Sequence, residues 1–188
     1  MSIVYGPTVK AETVVYLTSG QALSITYNDL SATMTKDGAY SVWDTQAYSP
    51  IPFTAPCTIE FNKSAAANGS DNGSSYTMVG WNADPTTNAS YDSIDWAAYA
   101  FMQNNYMIYN NGTQIITGIA WNENQKFYIV YDTDGYIRHY NGSTLLYSVN
   151  KGTGQTVYFD SSFYSPGSFG SLKNVRIIKR SWNGTFYV

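Results

Sequence analysis

The chain has 188 residues, a net charge of -3, only 12% charged residues and 16% aromatic ones, with 18 tyrosines. That length suits one domain with a real core, and the scattered Lys and Arg form no stripe able to track phosphates, which excludes nucleic acid as a partner. Tyr, Thr, Val, Ile and Trp suit pleated surfaces while Gly and Asn suit turns, so the profile is all-β. In chain order, strands are predicted near Val14–Leu17, Ala22–Tyr27, Tyr40–Trp43, Thr58–Phe61 and Tyr76–Trp81. The stretch "SYDSIDWAAYAFMQ" contains helix-favouring alanines but also alternates. It reads as a strand with Asp95, Ala97, Tyr99 and Phe101 on one face and Ile94, Trp96, Ala98 and Ala100 on the other. Further strands are predicted at Tyr106–Tyr109, Gln114–Ile119, Tyr128–Tyr131, Tyr136–Tyr140, Leu145–Val149, Val157–Phe159 and Asn174–Lys179. About a dozen strands with this punctuation make a two-sheet sandwich.

The segment "YIVYDTDGYIRHYNGSTLLYSV" poses a choice. Asp132 and Asp134 stand two apart beside Gly135, like the first ligands of a calcium loop. The rest of that ligand set is absent, and both flanks are strand formers. The segment therefore reads as a three-stranded meander, with hairpin connections at Thr133–Gly135 and Asn141–Thr144 and no metal at the aspartates. Residues 62–75 are small, polar and Gly-rich, as in an exposed loop. Residues 1–47 could form a separate hairpin or extension, with the sandwich core at 48–180, inside a single domain over 1–188.

Cys57 is the one cysteine. Its apolar neighbours predict a buried, unpaired thiol, compatible with a reducing compartment. No N-terminal signal peptide is read, and no apolar run approaches the ~20 residues of a membrane span, so no membrane partner is expected. Asn-x-Ser/Thr occurs at Asn62, Asn68, Asn72, Asn88, Asn111, Asn141 and Asn183, read as turn chemistry rather than glycan attachment. Arg176, Lys179 and Arg180 read as the solvent face of a strand.

The order "FTAPCTIEF", "YTMVGWN", "SYDSIDWAAYAF", "NYMIYNNGTQ", "KFYIVYDTDGYIRHYNGSTLLYS", "VYFDSSFYSPGS" and "LKNVRI" resembles the concanavalin A-like lectin/glucanase jelly-roll superfamily. It is most like variants carried on phage tail fibres and virion surfaces. The resemblance covers roughly residues 50 to 180 and rests on strands and turns. It implies a jelly-roll sandwich of two antiparallel sheets, with the N-terminal segment paired to "NVRIIKRSWNG". It also implies a virion component assembled in the host cytoplasm. The superfamily's glucanases use a Glu-x-Asp-x-x-Glu strand. Here the glutamates are Glu12, Glu60 and Glu123, and none has Asp two residues on. His139 is the sole histidine and reads as a satisfied strand residue; one His and one Cys make no zinc site. No catalytic residue, metal or cofactor is assigned.

The positive indication is aromatic rings beside short polar side chains, the chemistry that holds a sugar's C–H face and its rim of hydroxyls. The candidate ligand-binding residues are Trp81, Asn82, Asp84, Trp96, Tyr99, Trp121 and Tyr164. The leading expectation is a non-catalytic, lectin-like module binding a host glycan or surface polysaccharide. A structural capsid-decorating or fibre module packing on other virion subunits is the alternative, and a polysaccharide-degrading enzyme is third.

Overall fold

The computed structural model describes residues 11–12, 16–19, 23–38, 40–64, 76–101, 105–167 and 170–188. Among them sixteen strands, numbered in chain order, form two antiparallel sheets. The first sheet runs β14 (Thr144–Asn150), β13 (Tyr136–Asn141), β12 (Phe127–Tyr131), β7 (Cys57–Lys63), β16 (Leu172–Ile178), β4 (Ser31–Lys36) and β3 (Leu23–Asn28). β1 (Ala11–Glu12) pairs with the far end of β16 through Ala11↔Ile178 and Glu12↔Ile177, so the expected pairing of the N-terminal segment with "NVRIIKR" is present. The second sheet runs β11 (Thr113–Ile119), β10 (Asn105–Asn110), β9 (Trp96–Phe101), β8 (Thr77–Asn82), β15 (Thr156–Phe163), β5 (Thr45–Tyr48) and β2 (Leu17–Ser19), with β6 (Phe53–Thr54) also on β15. Strands from the first 47 residues are thus built into both sheets.

The period of two along each strand sends alternate side chains to opposite faces. Ile59 and Phe61 of β7, Phe127, Ile129 and Tyr131 of β12, and Val175 and Ile177 of β16 face Val79 and Trp81 of β8, Ala98 of β9 and Phe159 of β15 across one core. Aromatic rings fill much of it: Tyr106 stacks on Phe127 at 4.5 Å and Phe61 on Phe127 at 5.5 Å. The central strands β7, β8 and β12 are buried on both faces, because each sheet's outer face is covered in turn. Outside the first sheet, Trp182 and Tyr187 pack on Tyr128, Val130 and Tyr140. Outside the second, a segment crossing residues 83–95 returns over Met78 and Ala97.

At Asp132–Gly135 the choice between calcium loop and turn resolves as a turn. Asp132–Gly135 connects β12 to β13, with Gly135 at φ +83° and no room for a Cβ. Arg138 donates to Asp132 at 2.9 Å and to Asp134 at 3.1 Å, and the Ser181 hydroxyl donates to Asp132 at 2.6 Å. The hydrogen-bonded guanidinium holds the Asp134 carboxyl below its ordinary range. Among the described residues no group of three or more His, Cys, Asp or Glu side chains is placed to hold a metal. Cys57 is fully buried, as expected, and burial pushes its thiol up.

Other expectations need correction. The predicted strand at Tyr40–Trp43 is a loop, since the Val42 carbonyl is taken by the Lys36 ammonium at 2.7 Å and the Asp44 amide at 3.1 Å; pairing starts at Thr45. β4, whose inward residues Ala32, Met34 and Lys36 make a weak apolar pattern, went unpredicted. Val14 and residues 65–75 lie outside the described residues; Asn62 and Lys63, expected in the loop, end β7 instead. Lys179 and Arg180 lie beyond β16 rather than on its face. Ile94 precedes β9 and packs beside Ala97, not on the opposite face. His139 is buried but not satisfied: neither ring nitrogen has a hydrogen-bond partner among the described residues. It stands opposite Ile129 and Tyr147 in an apolar setting, and burial pushes its pKa down to about 3.

Candidate functional site

The outer face of the second sheet carries the candidate site. Two devices build it. In the first, residues 83–95 fold back across the sheet, pinned where the Gln46 amide donates to the Pro85 carbonyl and the Ser162 hydroxyl to the Ala89 carbonyl, the latter at 2.6 Å. A single 3₁₀ turn, Tyr91–Ser93, then delivers the Tyr91 ring. In the second, the wholly buried Lys36 ammonium binds the Asp44 carboxylate at 2.7 Å and the Tyr164 carbonyl at 3.4 Å, besides Val42. Lys36 therefore fixes the two loop segments that carry Trp43 and Tyr164.

The strands supply the remaining rings. Tyr99 of β9 and Tyr109 of β10 project outward, while Trp96 and Ala98 point to the core. β8 lies close enough to β9 that a Cβ on Gly80 would sit 2.1 Å from the Trp96 carbonyl oxygen. Trp43, Tyr76, Tyr91, Tyr99, Tyr109 and Tyr164 together line a basin of about 280 Å³. All six are half-buried. Trp43 is the hub, with ring centres 5.0 Å from Tyr91, 5.3 Å from Tyr164 and 5.9 Å from Tyr99. Tyr76 closes the far side at 5.4 Å from Tyr164 and 5.9 Å from Tyr99. Among the described residues no charged side chain lines the basin. Burial, reinforced by the neighbouring tyrosines, pushes the Tyr99 phenol well up, and Tyr109 likewise. These phenols keep their protons and remain hydrogen-bond donors at neutral pH.

The seven residues expected from sequence divide. Tyr99 and Tyr164 are in the basin. Trp96 shares β9 with Tyr99 but occupies the opposite face, half-buried, with the Lys151 ammonium 3.7 Å from its ring centre. Trp81 and Trp121 are core residues and not loop platforms. Trp81 is fully buried with its indole N–H donated to the Ile129 carbonyl of the facing sheet at 3.0 Å, and Trp121 packs edge-on against Phe127 at 5.9 Å. Asn82 is also buried, donating to Asp160 at 2.8 Å. Asp84 is exposed at a separate depression shared with Leu17, Tyr48, Pro85 and Tyr158.

Trp43, Tyr76, Tyr91 and Tyr109 were missed. Tyr109 was within reach: once β9 and β10 are antiparallel neighbours, alternation puts it on the Tyr99 face. Trp43 and Tyr91 arrive on irregular segments whose path depends on distant partners.

No family model and no curated protein sequence matches this chain. Solved structures do. The SPRY domain of human HERC1 is similar with a TM-score of 0.54 at 15% identity, over 82% of this chain and 90% of that one. The PSpry domain of TRIM65 gives 0.59 at 10% identity, over 87% and 90%. The exoplasmic/lumenal domain of VIP36 in its Ca2+-bound form gives 0.56 at 12% identity, over 87% and 83%. The chain has the concanavalin-like jelly-roll fold. Such low identity establishes architecture alone, so the use of this jelly roll has to be argued from its own side chains.

Proposed function

We propose that the protein is a non-catalytic, lectin-like module that binds an uncharged region of a glycan in the aromatic basin. One observation carries this: six rings converge on about 280 Å³, with no charged side chain in the lining among the described residues. Flat rings pack on sugar C–H faces, and phenol hydroxyls meet the sugar's own hydroxyls. The same sandwich architecture is known in VIP36 as a Ca2+/Man2-bound form, which supports saccharide recognition on this scaffold by analogy. The sequence resemblance to virion-surface and tail-fibre variants supports display in many copies, where weak single sites gain avidity.

The test is a glycan array with the purified protein, with and without chelator, followed by the Trp43→Ala and Tyr109→Ala variants. Losing a packed ring is worth about 0.5–1.5 kcal/mol, so each variant should retain the selected glycan about two- to tenfold less well. Tyr109 lies half-exposed near the sheet edge, so its variant should melt close to the parent. Full retention in both variants would transfer the basin to the rival reading, contact with a neighbouring subunit.

A further inference from the structure

On the opposite side of the sandwich, outside the first sheet, a cavity of about 420 Å³ lies beneath the β3–β4 turn. Asn28, Asp29 and Ser31 come from the turn, Glu60 from β7, Lys126 from the approach to β12, and Asn174 and Arg176 from β16. The Glu60 side chain is only 4% exposed and both its oxygens are engaged. Lys126 holds Oε1 at 2.9 Å, with Arg176 farther off at 3.7 Å, and the Tyr187 hydroxyl donates to Oε2 at 2.6 Å.

An inventory of donors and acceptors decides what the cavity suits. Lys126 has three N–H groups and commits one; its side chain is 49% exposed. Arg176 has five, and its guanidinium makes no hydrogen bond among the described residues beyond that long ion pair. Among the described lining residues the remaining negative group is Asp29, exposed on the turn at the rim. The unspent capacity inside is thus mostly cationic donor. A planar guanidinium with open N–H pairs matches a carboxylate in two-pronged geometry. The amides of Asn28 and Asn174 flank it with groups that complement sugar hydroxyls, and the Ser31 hydroxyl, whose own proton goes to the Asn28 carbonyl at 3.0 Å, remains as an acceptor. Asn174 is held at φ +53° where the register of β16 shifts against both its neighbours, and its side-chain amide also donates to Asn62 at 3.1 Å. A bulge in a central strand turns side chains out of the regular alternation, here toward the cavity.

We infer that this cavity is a second saccharide site, specific for a carboxylated sugar whose acid group meets Arg176 and Lys126. It is independent of the aromatic basin. An NMR titration of the full chain with sodium glucuronate, glucose and sodium acetate tests it. Glucuronate should saturate, with shifts centred on Arg176 and Asn174, and bind more tightly than either glucose or acetate. Affinity should fall at least tenfold in Arg176→Gln and in Lys126→Gln, and fall with added salt. The aromatic-basin variant Tyr109→Ala should bind glucuronate like the parent. Lys126 is the more exposed of the two cations, so its variant decides the matter if Arg176→Gln unfolds. Equal binding of glucose and glucuronate, acetate as tight as glucuronate, or unchanged affinity in folded Lys126→Gln would each overturn the inference. So would loss of glucuronate binding in Tyr109→Ala, which would place the acid in the other site.

Discussion

Trp81→Ala is expected to destabilise the fold by about 3–5 kcal/mol, the range for deleting a large buried aromatic. Its ring is fully buried between the sheets and contacts Phe53 at 5.9 Å. Its N–H also donates to the Ile129 carbonyl across the core at 3.0 Å, so alanine leaves a void and removes a hydrogen bond that ties the two sheets together. Chemical denaturation should show the midpoint falling sharply with little change in slope. Trp43→Ala, on the half-buried basin, should change the midpoint far less while losing glycan retention. If Trp81→Ala folded as stably as the parent and lost only binding, the core assignment would be wrong.

The second large effect concerns pH. His139 has its pKa pushed down from 6.5 to about 3 by burial. As pH falls through 6.5 the unfolded chain takes up a proton that the folded chain refuses, so this group removes stability progressively down to about pH 3. Asp160 does the reverse. Burial raises it from 3.8 to about 7, against the opposing hydrogen bonds from Asn82, Gln46 and the Ser161 amide. The folded chain then holds the proton that the unfolded chain has released. Asp160 therefore contributes stability at acid pH and loses it as pH rises from 3.8 to about 7. Each slope approaches about 1.4 kcal/mol per pH unit, and between 3.8 and 6.5 they oppose one another. Relative to the parent, His139→Leu should gain stability steadily as pH is lowered across that window. Asp160→Asn, whatever its constant offset from altered hydrogen bonding, should gain as pH is raised. Denaturation curves every half unit from pH 4 to 7 measure both slopes. Profiles parallel to the parent's would show that neither group is as strongly perturbed as its surroundings require.

The architecture was legible because the strands announce themselves locally. Alternation and Asn-Gly or Asp-Gly turns located β12 to β14 almost to the residue. β4 escaped because its inward positions, Ala32, Met34 and Lys36, include a charge whose burial makes sense only once Asp44 and the Val42 carbonyl are in place. Tyr40–Trp43 misled for the complementary reason, as its strand-like composition serves a loop tethered by that same lysine. The site was half legible. Rings adjacent to Asn or Asp in sequence drew attention to Trp81 and Trp121, yet sequence adjacency does not say which face of a sheet a ring takes. With both outer faces covered, apolar positions occur on either side of a strand, and periodicity no longer separates core from surface. Tyr99 and Tyr164, both named from sequence, line the basin, but its hub, Trp43, depends on contacts that span most of the chain.

The crowding of tyrosines around Trp43 has an optical consequence. Five phenols stand around the one indole of the basin, three of them with ring centres 5.0–5.9 Å away. At such separations light absorbed by the tyrosines passes efficiently to the tryptophan. Trp81 and Trp121 emit from the buried interior, and the half-buried Trp96 and Trp182 lie away from the basin, on the core side of β9 and outside the first sheet. Trp43, half-open to water, is thus a built-in fluorophore at the mouth of the basin, and a sugar settling on it would change its emission without any added label.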